Sequence, residues 1–205
     1  MKKNENEIFR LDYDVILNLV EFNSKVLDLG CGDGELLYRL KKEKNCLVRG
    51  VEISTTGVVE SLEKGLSVYQ GDINEGLKDY PDKSFDYVIL SYTLQELLKP
   101  ELVLNETLRV GKKVIVSFPN FGNWKIRLYL LLKGRMPKSK ILPFEWYNTP
   151  NIHLITIKDF RIYCMEKNIK VLKEIPINLD KRFNQFLVNR FRNLFAQFVI
   201  YLIYK

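Results

Sequence analysis

Three glycines at alternate positions, Gly30, Gly32 and Gly34, follow directly on the short apolar run Lys25-Val26-Leu27-Asp28-Leu29. No other stretch restricts the fold as strongly. Alternating glycines let a chain leaving a strand turn sharply and bring its backbone close to a ligand where a Cβ would collide. A helical pattern begins at once: between Glu35 and Lys44 the side chains of Leu36, Leu37 and Leu40 share one face, with charges on the other. Its N-terminus points at the same turn. Strand, tight turn and helix in that order put the turn beyond the carboxyl end of a strand, where open α/β sheets hold ligands. This much suits any nucleotide-like cofactor.

The alternation continues along the chain. Cys46 to Ile53 reads as a second strand, and Ser54 to Lys64 as a helix capped by Ser54 or Thr55. Leu66–Gln70 and Phe85–Ser91 read as strands three and four. Pro100 to Arg109 reads as a helix with proline in its first turn, and Lys112 to Phe118 as a β-branched fifth strand. Strands separated by helices imply parallel crossovers, so the prediction is a doubly wound α/β sheet with helices on both faces. Between Pro119 and Pro150 the pattern breaks. A short helix, Trp124 to Lys133, leads into an irregular run holding Trp146, Tyr147 and Asn148, and segments of this kind are usually lids or binding loops. Thr156 and Asp159 suggest a capping box for a helix to about Lys167, and Lys170–Ile177 a sixth strand. The stretch Asn193–Tyr204 is expected to close the sheet as an antiparallel hairpin partner of strand six, making seven strands; an interfacial amphipathic helix is the alternative.

A chain of 205 residues with 46% hydrophobic and 28% charged side chains suits a single domain, here spanning 1–205 with a lid-like insert at about 119–152. Cysteines Cys31, Cys46 and Cys164 are odd in number and widely spaced, which argues against a disulfide framework or a zinc cluster and for a reducing compartment; no metal site is expected. The charged Met1–Arg10 stretch lacks a signal-peptide core, and the longest apolar run, Phe195–Tyr204, is too short to span a membrane, so the expected location is cytoplasmic. Charge is unevenly placed. Residues 1–118 hold 16 basic against 20 acidic side chains, whereas residues 119–205 hold 16 against 5. The second part therefore favours an anionic ligand, nucleic acid or an acidic partner, unless its lysines are simply solvated.

Spacing narrows the cofactor. A dinucleotide fingerprint needs glycine at position 35, where this chain has Glu35. Asp28 stands two residues before the first glycine, and Asp33 and Glu35 stand at the helix start, so a pyrophosphate is repelled there and nicotinamide cofactors are not expected to bind. Glu52, at the end of strand two, is placed to accept bonds from ribose hydroxyls. Asp72, in Gly71-Asp72-Ile73, could take an exocyclic adenine amine. An ammonium, a ribose and an adenine without phosphate describe S-adenosylmethionine. Over residues 25–118 the chain resembles the class I S-adenosylmethionine-dependent methyltransferases, with their Rossmann-like fold. That resemblance implies a cofactor site of Asp28, Gly30, Cys31, Gly32, Glu52, Ile53, Asp72, Ile73 and Ser91. Bland readings stay open: Asp28 as a cap, Glu52 as a surface charge, Asp72 as a turn residue, and Cys31 as a packing residue, since no histidine lies near it in sequence.

A narrower resemblance rests on Tyr80-Pro81-Asp82-Lys83-Ser84-Phe85-Asp86, Arg109-Val110-Gly111, Phe118-Pro119-Asn120-Phe121-Gly122, Gly134-Arg135-Met136-Pro137 and Trp146 to His153. Over about residues 8–175 these strings resemble the MetW methionine-biosynthesis family. The chain departs from it at Tyr92, Asn123 and Asn148, where glutamine, histidine and aspartate are usual. The resemblance implies a connection to methionine biosynthesis and to homoserine O-acetyltransferase as a partner. Methyl transfer needs alignment of the acceptor with the sulfonium, and a base only where the acceptor must lose a proton. Candidate bases are His153, Tyr147, Glu145 and Tyr92, with a structural role the alternative for His153. Trp124, Trp146, Tyr147 and Arg127 could shape an acceptor pocket. Two function classes follow: an enzyme methylating a small molecule, or a non-catalytic S-adenosylmethionine-binding regulator of the acetyltransferase. Methylation of nucleic acid is disfavoured, because Asn-Pro-Pro-Tyr and Pro-Cys motifs are absent from the chain.

Overall fold

The strands that read as uninterrupted apolar runs are those the sheet covers on both faces. The computed structural model describes residues 12–139, 142–180 and 185–205. Its strands are β1 (Lys25–Leu29), β2 (Leu47–Glu52), β3 (Val68–Gln70), β4 (Phe85–Ser91), β5 (Gly111–Pro119), β6 (Lys170–Ile177) and β7 (Phe198–Tyr204). They form one sheet in the order β3-β2-β1-β4-β5-β7-β6. Pairs among β1 to β5 are parallel, and β7 runs antiparallel to both β5 and β6. The expected mostly parallel, seven-stranded sheet with an antiparallel end is therefore present.

Helices cover both faces, as the crossovers require. They are α1 (residues 12–19), α2 (Glu35–Lys44), α3 (Thr55–Glu63), α4 (Pro100–Val110), α5 (Trp124–Lys133), α6 (Ile157–Glu166), α7 (Gln185–Arg190) and α8 (Arg192–Phe195). Alternate strand residues divide between two cores. Leu27, Leu29, Val88, Val116 and Phe118 pack with Val103, Leu104 and Leu108 of α4 and Phe160 of α6. Val26, Ile89, Ile115 and Ile200 pack on the other face with Ile16, Leu19 and Val20 near α1 and Leu36 and Leu40 of α2. Strand order reverses between β1 and β4, which opens a crevice at their carboxyl ends. The segment between β3 and β4 carries only a 3-10 turn, Ile73–Glu75. The Arg109 guanidinium fastens it, donating to the carbonyls of Leu77 and Tyr80 and pairing with Asp82 and Glu106.

The structure corrects three boundaries. Helix α1 lies in a stretch the sequence reading left unassigned. Strand β3 is shorter than expected, because Leu66 turns into a small core with Cys31 and Leu37. The terminal strand begins at Phe198, since Asn193–Phe195 belong to α8. The interfacial-helix alternative for this stretch is overturned: Phe198 to Ile203 are all buried between β5 and β6. Removing a large aliphatic side chain from such a site costs about 2–5 kcal/mol. Ile200→Ala should therefore lower urea-unfolding stability by that amount. Leu172→Ala, on the half-exposed edge strand β6, should change it by about 0.5 kcal/mol or less.

Candidate functional site

The turn after β1 is built by backbone bonds to β2. The N–H groups of Gly30 and Cys31 both donate to the Val51 carbonyl, at 2.8 and 3.2 Å. Gly30 has φ +77°, and a Cβ there would meet Thr93 Oγ1 at 2.9 Å. That hydroxyl donates to the carbonyls of Leu29 and Ser91, tying the ends of β1 and β4 together. Both backbone conformation and space therefore require glycine.

Glu52 completes the turn. Its Oε2 accepts the Gly32 N–H at 2.8 Å and its Oε1 the Ser54 N–H at 2.7 Å, so one buried carboxylate clamps the glycine turn to the start of α3. The Glu52 carbonyl accepts the Gly71 N–H at the end of β3. Asp72 follows and caps the 3-10 turn, accepting the Asn74 N–H at 2.8 Å. Asn74 in turn accepts the N–H groups of Leu98 and Lys99 beyond β4. Ile53 lies 65% exposed at the end of β2, whereas Ile73 is buried in the core. Cys31 is buried too, its sulfur packed where a Cβ on Gly50 would sit, and burial followed by the charges of Asp28 and Glu52 pushes its thiol up to about 12. It is an inert packing residue, and only its backbone faces the turn.

Acidic groups converge here more densely than the sequence suggested. Asp28 is buried with no partner for Oδ1. Burial, then the charges of Asp12 and Glu52, push its carboxyl up to about 7. Asp12, fully buried on α1, accepts bonds from Ser91 Oγ at 2.5 Å and Ser117 Oγ at 3.0 Å through Oδ2, leaving Oδ1 bare. Burial outweighs those bonds and pushes it up to about 6. Glu96, after β4, is raised by burial and then by the charge of Glu52. The sequence reading missed Asp12 and Glu96. One signal was present for the first: Asp12 shares a helical face with Ile16 and Leu19, so a carboxylate occupies an apolar position.

Asp33 and Glu35 need correction. Both pair with Lys64, at 2.8 and 3.3 Å, and so do not act as bare charges on a ligand. The backbone amides of the turn are already engaged, Gly30 and Cys31 by the Val51 carbonyl, Gly32 by Glu52 and Glu35 by the Asp33 side chain.

The four candidate bases are scattered. Tyr92 packs on Phe198, and burial, then the charge of Asp12, hold its phenol well above its usual range. Glu145 pairs with Lys138 on the surface, which lowers its carboxyl. Tyr147 is exposed, edge-on to Trp146. His153 is fastened to the turn after β4: its Nε2 donates to the Leu97 carbonyl at 2.9 Å, and its backbone N–H and that of Ile152 donate to the Gln95 carbonyl. Asn123 caps α5 and donates to the carbonyls of Phe195 and Ala196, a structural role for this departure from the family pattern.

Strand order, glycine turn and strand-end acids define a class, the S-adenosylmethionine-dependent methyltransferase fold. A methyltransferase of that kind from Archaeoglobus fulgidus superposes with a TM-score of 0.62 at 18% identity, over 97% of this chain and 94% of that one. One from Aquifex aeolicus gives 0.59 at 17%, over 98% of each. Residues 10–203 match the family model for methionine biosynthesis protein MetW, and the chain belongs to that family. A bifunctional methionine biosynthesis protein MetXA/MetW from Rhodopirellula baltica is 36% identical over 180 residues, 83% of this chain. A ubiquinone biosynthesis O-methyltransferase from Idiomarina loihiensis is 32% identical over 107 residues, 48% of this chain. The matches span only 29% and 44% of those proteins' own lengths. Among the described residues no helix is long and apolar enough to cross a membrane.

The raised Asp28 carboxyl has a stability consequence. The folded protein holds a proton that the unfolded chain releases near the ordinary aspartate value of 3.8, so its contribution is complete at low pH and is lost as pH rises through about 7. Asp28→Asn removes that loss. It should stabilise the protein at pH 8 by at least about 1.4 kcal/mol, one unit of pKa, with the gain vanishing near pH 4 in paired denaturation curves.

Proposed function

We propose that the chain binds S-adenosylmethionine at the carboxyl ends of β1 to β4 and serves methionine biosynthesis as a methyltransferase-type protein acting on a small molecule. One observation carries the reading: buried Asp28 Oδ1 lacks a donor beside a glycine turn whose amides are already taken. Such a site suits a cationic amine and not a phosphate. Asp28, with the backbone at Gly30, Cys31 and Gly32, would hold the amino-acid end, and Glu52 the ribose through the lone pairs left by Gly32 and Ser54. Asp72 would take the adenine amine, with Ile53 against the ring, Ile73 beneath and Ser91 at the rim. When bound, the group supplies a methyl on a sulfonium. The run from Pro143 to Ile155, which closes the 119–152 insert and leads on from it, is fastened to the turn after β4 through Gln95 and Leu97 and would cover the acceptor side.

A second reading has its own support. Tyr92 is held neutral and Glu145 is engaged by Lys138, so neither is poised as a base; a regulator, or a transfer needing no proton removal, is favoured by that geometry. The candidate partner is homoserine O-acetyltransferase, in keeping with a relative that joins MetXA and MetW in one protein. Three free, buried cysteines support a reducing, cytoplasmic setting.

Calorimetric titration with S-adenosylmethionine tests the cofactor. Glu52→Ala removes a charged acceptor worth about 1.5–3 kcal/mol and should weaken binding tenfold or more. Unchanged affinity would falsify the ribose assignment. Release of S-adenosylhomocysteine with candidate acceptors separates enzyme from regulator. Hydrogen exchange in residues 143–155 should slow on binding, and slowing confined to the glycine turn would remove the lid.

A further inference from the structure

Helix α5 is anchored at one end only. Asn123 caps it, Arg127 Nε donates to the Gly122 carbonyl at 2.7 Å, and Lys125 pairs with Asp180 at 3.0 Å, all within its first turn or just before it. Beyond that turn every residue from Leu128 to Met136 is exposed, and no residue of α5 is buried. Leu128, Tyr129, Leu130, Leu131 and Leu132 follow one another, and at 100° per residue five consecutive side chains cover the whole circumference. Leu131 is 81% and Leu132 68% exposed, and Met136 continues the apolar surface past Gly134. A helix apolar on all sides belongs inside something, and ten residues without tertiary packing are marginal in water.

We infer that the outer part of α5 together with the residues that follow it, Leu128 to Met136, inserts into an apolar groove with acidic rims on a partner protein. This rests on the partner reading above, whose candidate is homoserine O-acetyltransferase, and adds the surface that makes the contact. The charges select the occupant. Lys133 and Arg135 flank the apolar turns, are exposed and make no ion pair among the described residues, within a segment (119–205) of 16 basic and 5 acidic residues. A second copy would set basic surface against basic surface, whereas carboxylates at a groove rim complement it. A membrane interface would leave one side of the helix in water, which suits a polar face that these turns lack.

The experiment measures binding of the full chain to purified homoserine O-acetyltransferase from the same cells, with S-adenosylmethionine titration of each variant as the folding control. Leu131→Ser with Leu132→Ser should weaken the complex at least tenfold without moving cofactor affinity. Lys133→Glu with Arg135→Glu should slow association severalfold and flatten its salt dependence, and this pair serves if the serine variant misfolds. Wild-type binding that neither pair alters places the contact elsewhere and overturns the inference while the partner reading stands. No wild-type binding at micromolar concentration overturns both. Self-association by sedimentation, or flotation with phosphatidylglycerol vesicles, that depends on these residues in place of the complex names another occupant and also overturns it.

Discussion

The candidate site depends on one buried carboxylate holding two backbone amides. Glu52 accepts the Gly32 and Ser54 N–H groups from its two oxygens, joining the turn after β1 to the start of α3. Around it the fit is close: a Cβ on Gly57 would meet the Gly32 carbonyl at 2.8 Å. A charged hydrogen bond made away from bulk water is strong, and losing its acceptor strands two donors at once. The architecture of the turn and the start of α3 thus rest on the same side chain.

That economy leaves the crevice electrostatically unbalanced. Buried Asp28 feels the charges of buried Asp12 and Glu52, and Glu96 at the rim feels that of Glu52. Desolvation raises Asp12, Asp28 and Glu96 above their ordinary range, so the crevice favours a proton or a cation over a further anion. Asp33 and Glu35, which looked like part of this cluster, are drawn off by Lys64. The Tyr13 phenol nearby is raised first by its own burial, and it still feels the charges of Asp28 and Asp33 ahead of those of Asp12 and Glu35.

The insert after β5 divides into two parts with different attachments. Its return run is tied by backbone bonds to the turn after β4, at the mouth of the crevice. Its helix is tied to the α8–β7 junction through Asn123 and directs its leucines outward. One segment therefore has two surfaces, one against the turn after β4 and one toward solvent.

The sequence by itself determined the alternation of strand and helix, the glycine turn, the strand-end positions of Asp28, Glu52 and Asp72, and the antiparallel close of the sheet. These are local signals, since periodicity, β-branched runs and glycine spacing act within a few residues of where they are read. Only the tertiary structure decided that Asp12 reaches Ser91 and Ser117, that Lys64 pairs with both Asp33 and Glu35, that Cys31 turns into the core, and that the last strand starts at Phe198. Each of these depends on which elements meet across the sheet. Side-chain spacing along one chain carries no record of that until packing brings residues 79 positions apart, as Asp12 and Ser91 are, to a single hydrogen bond.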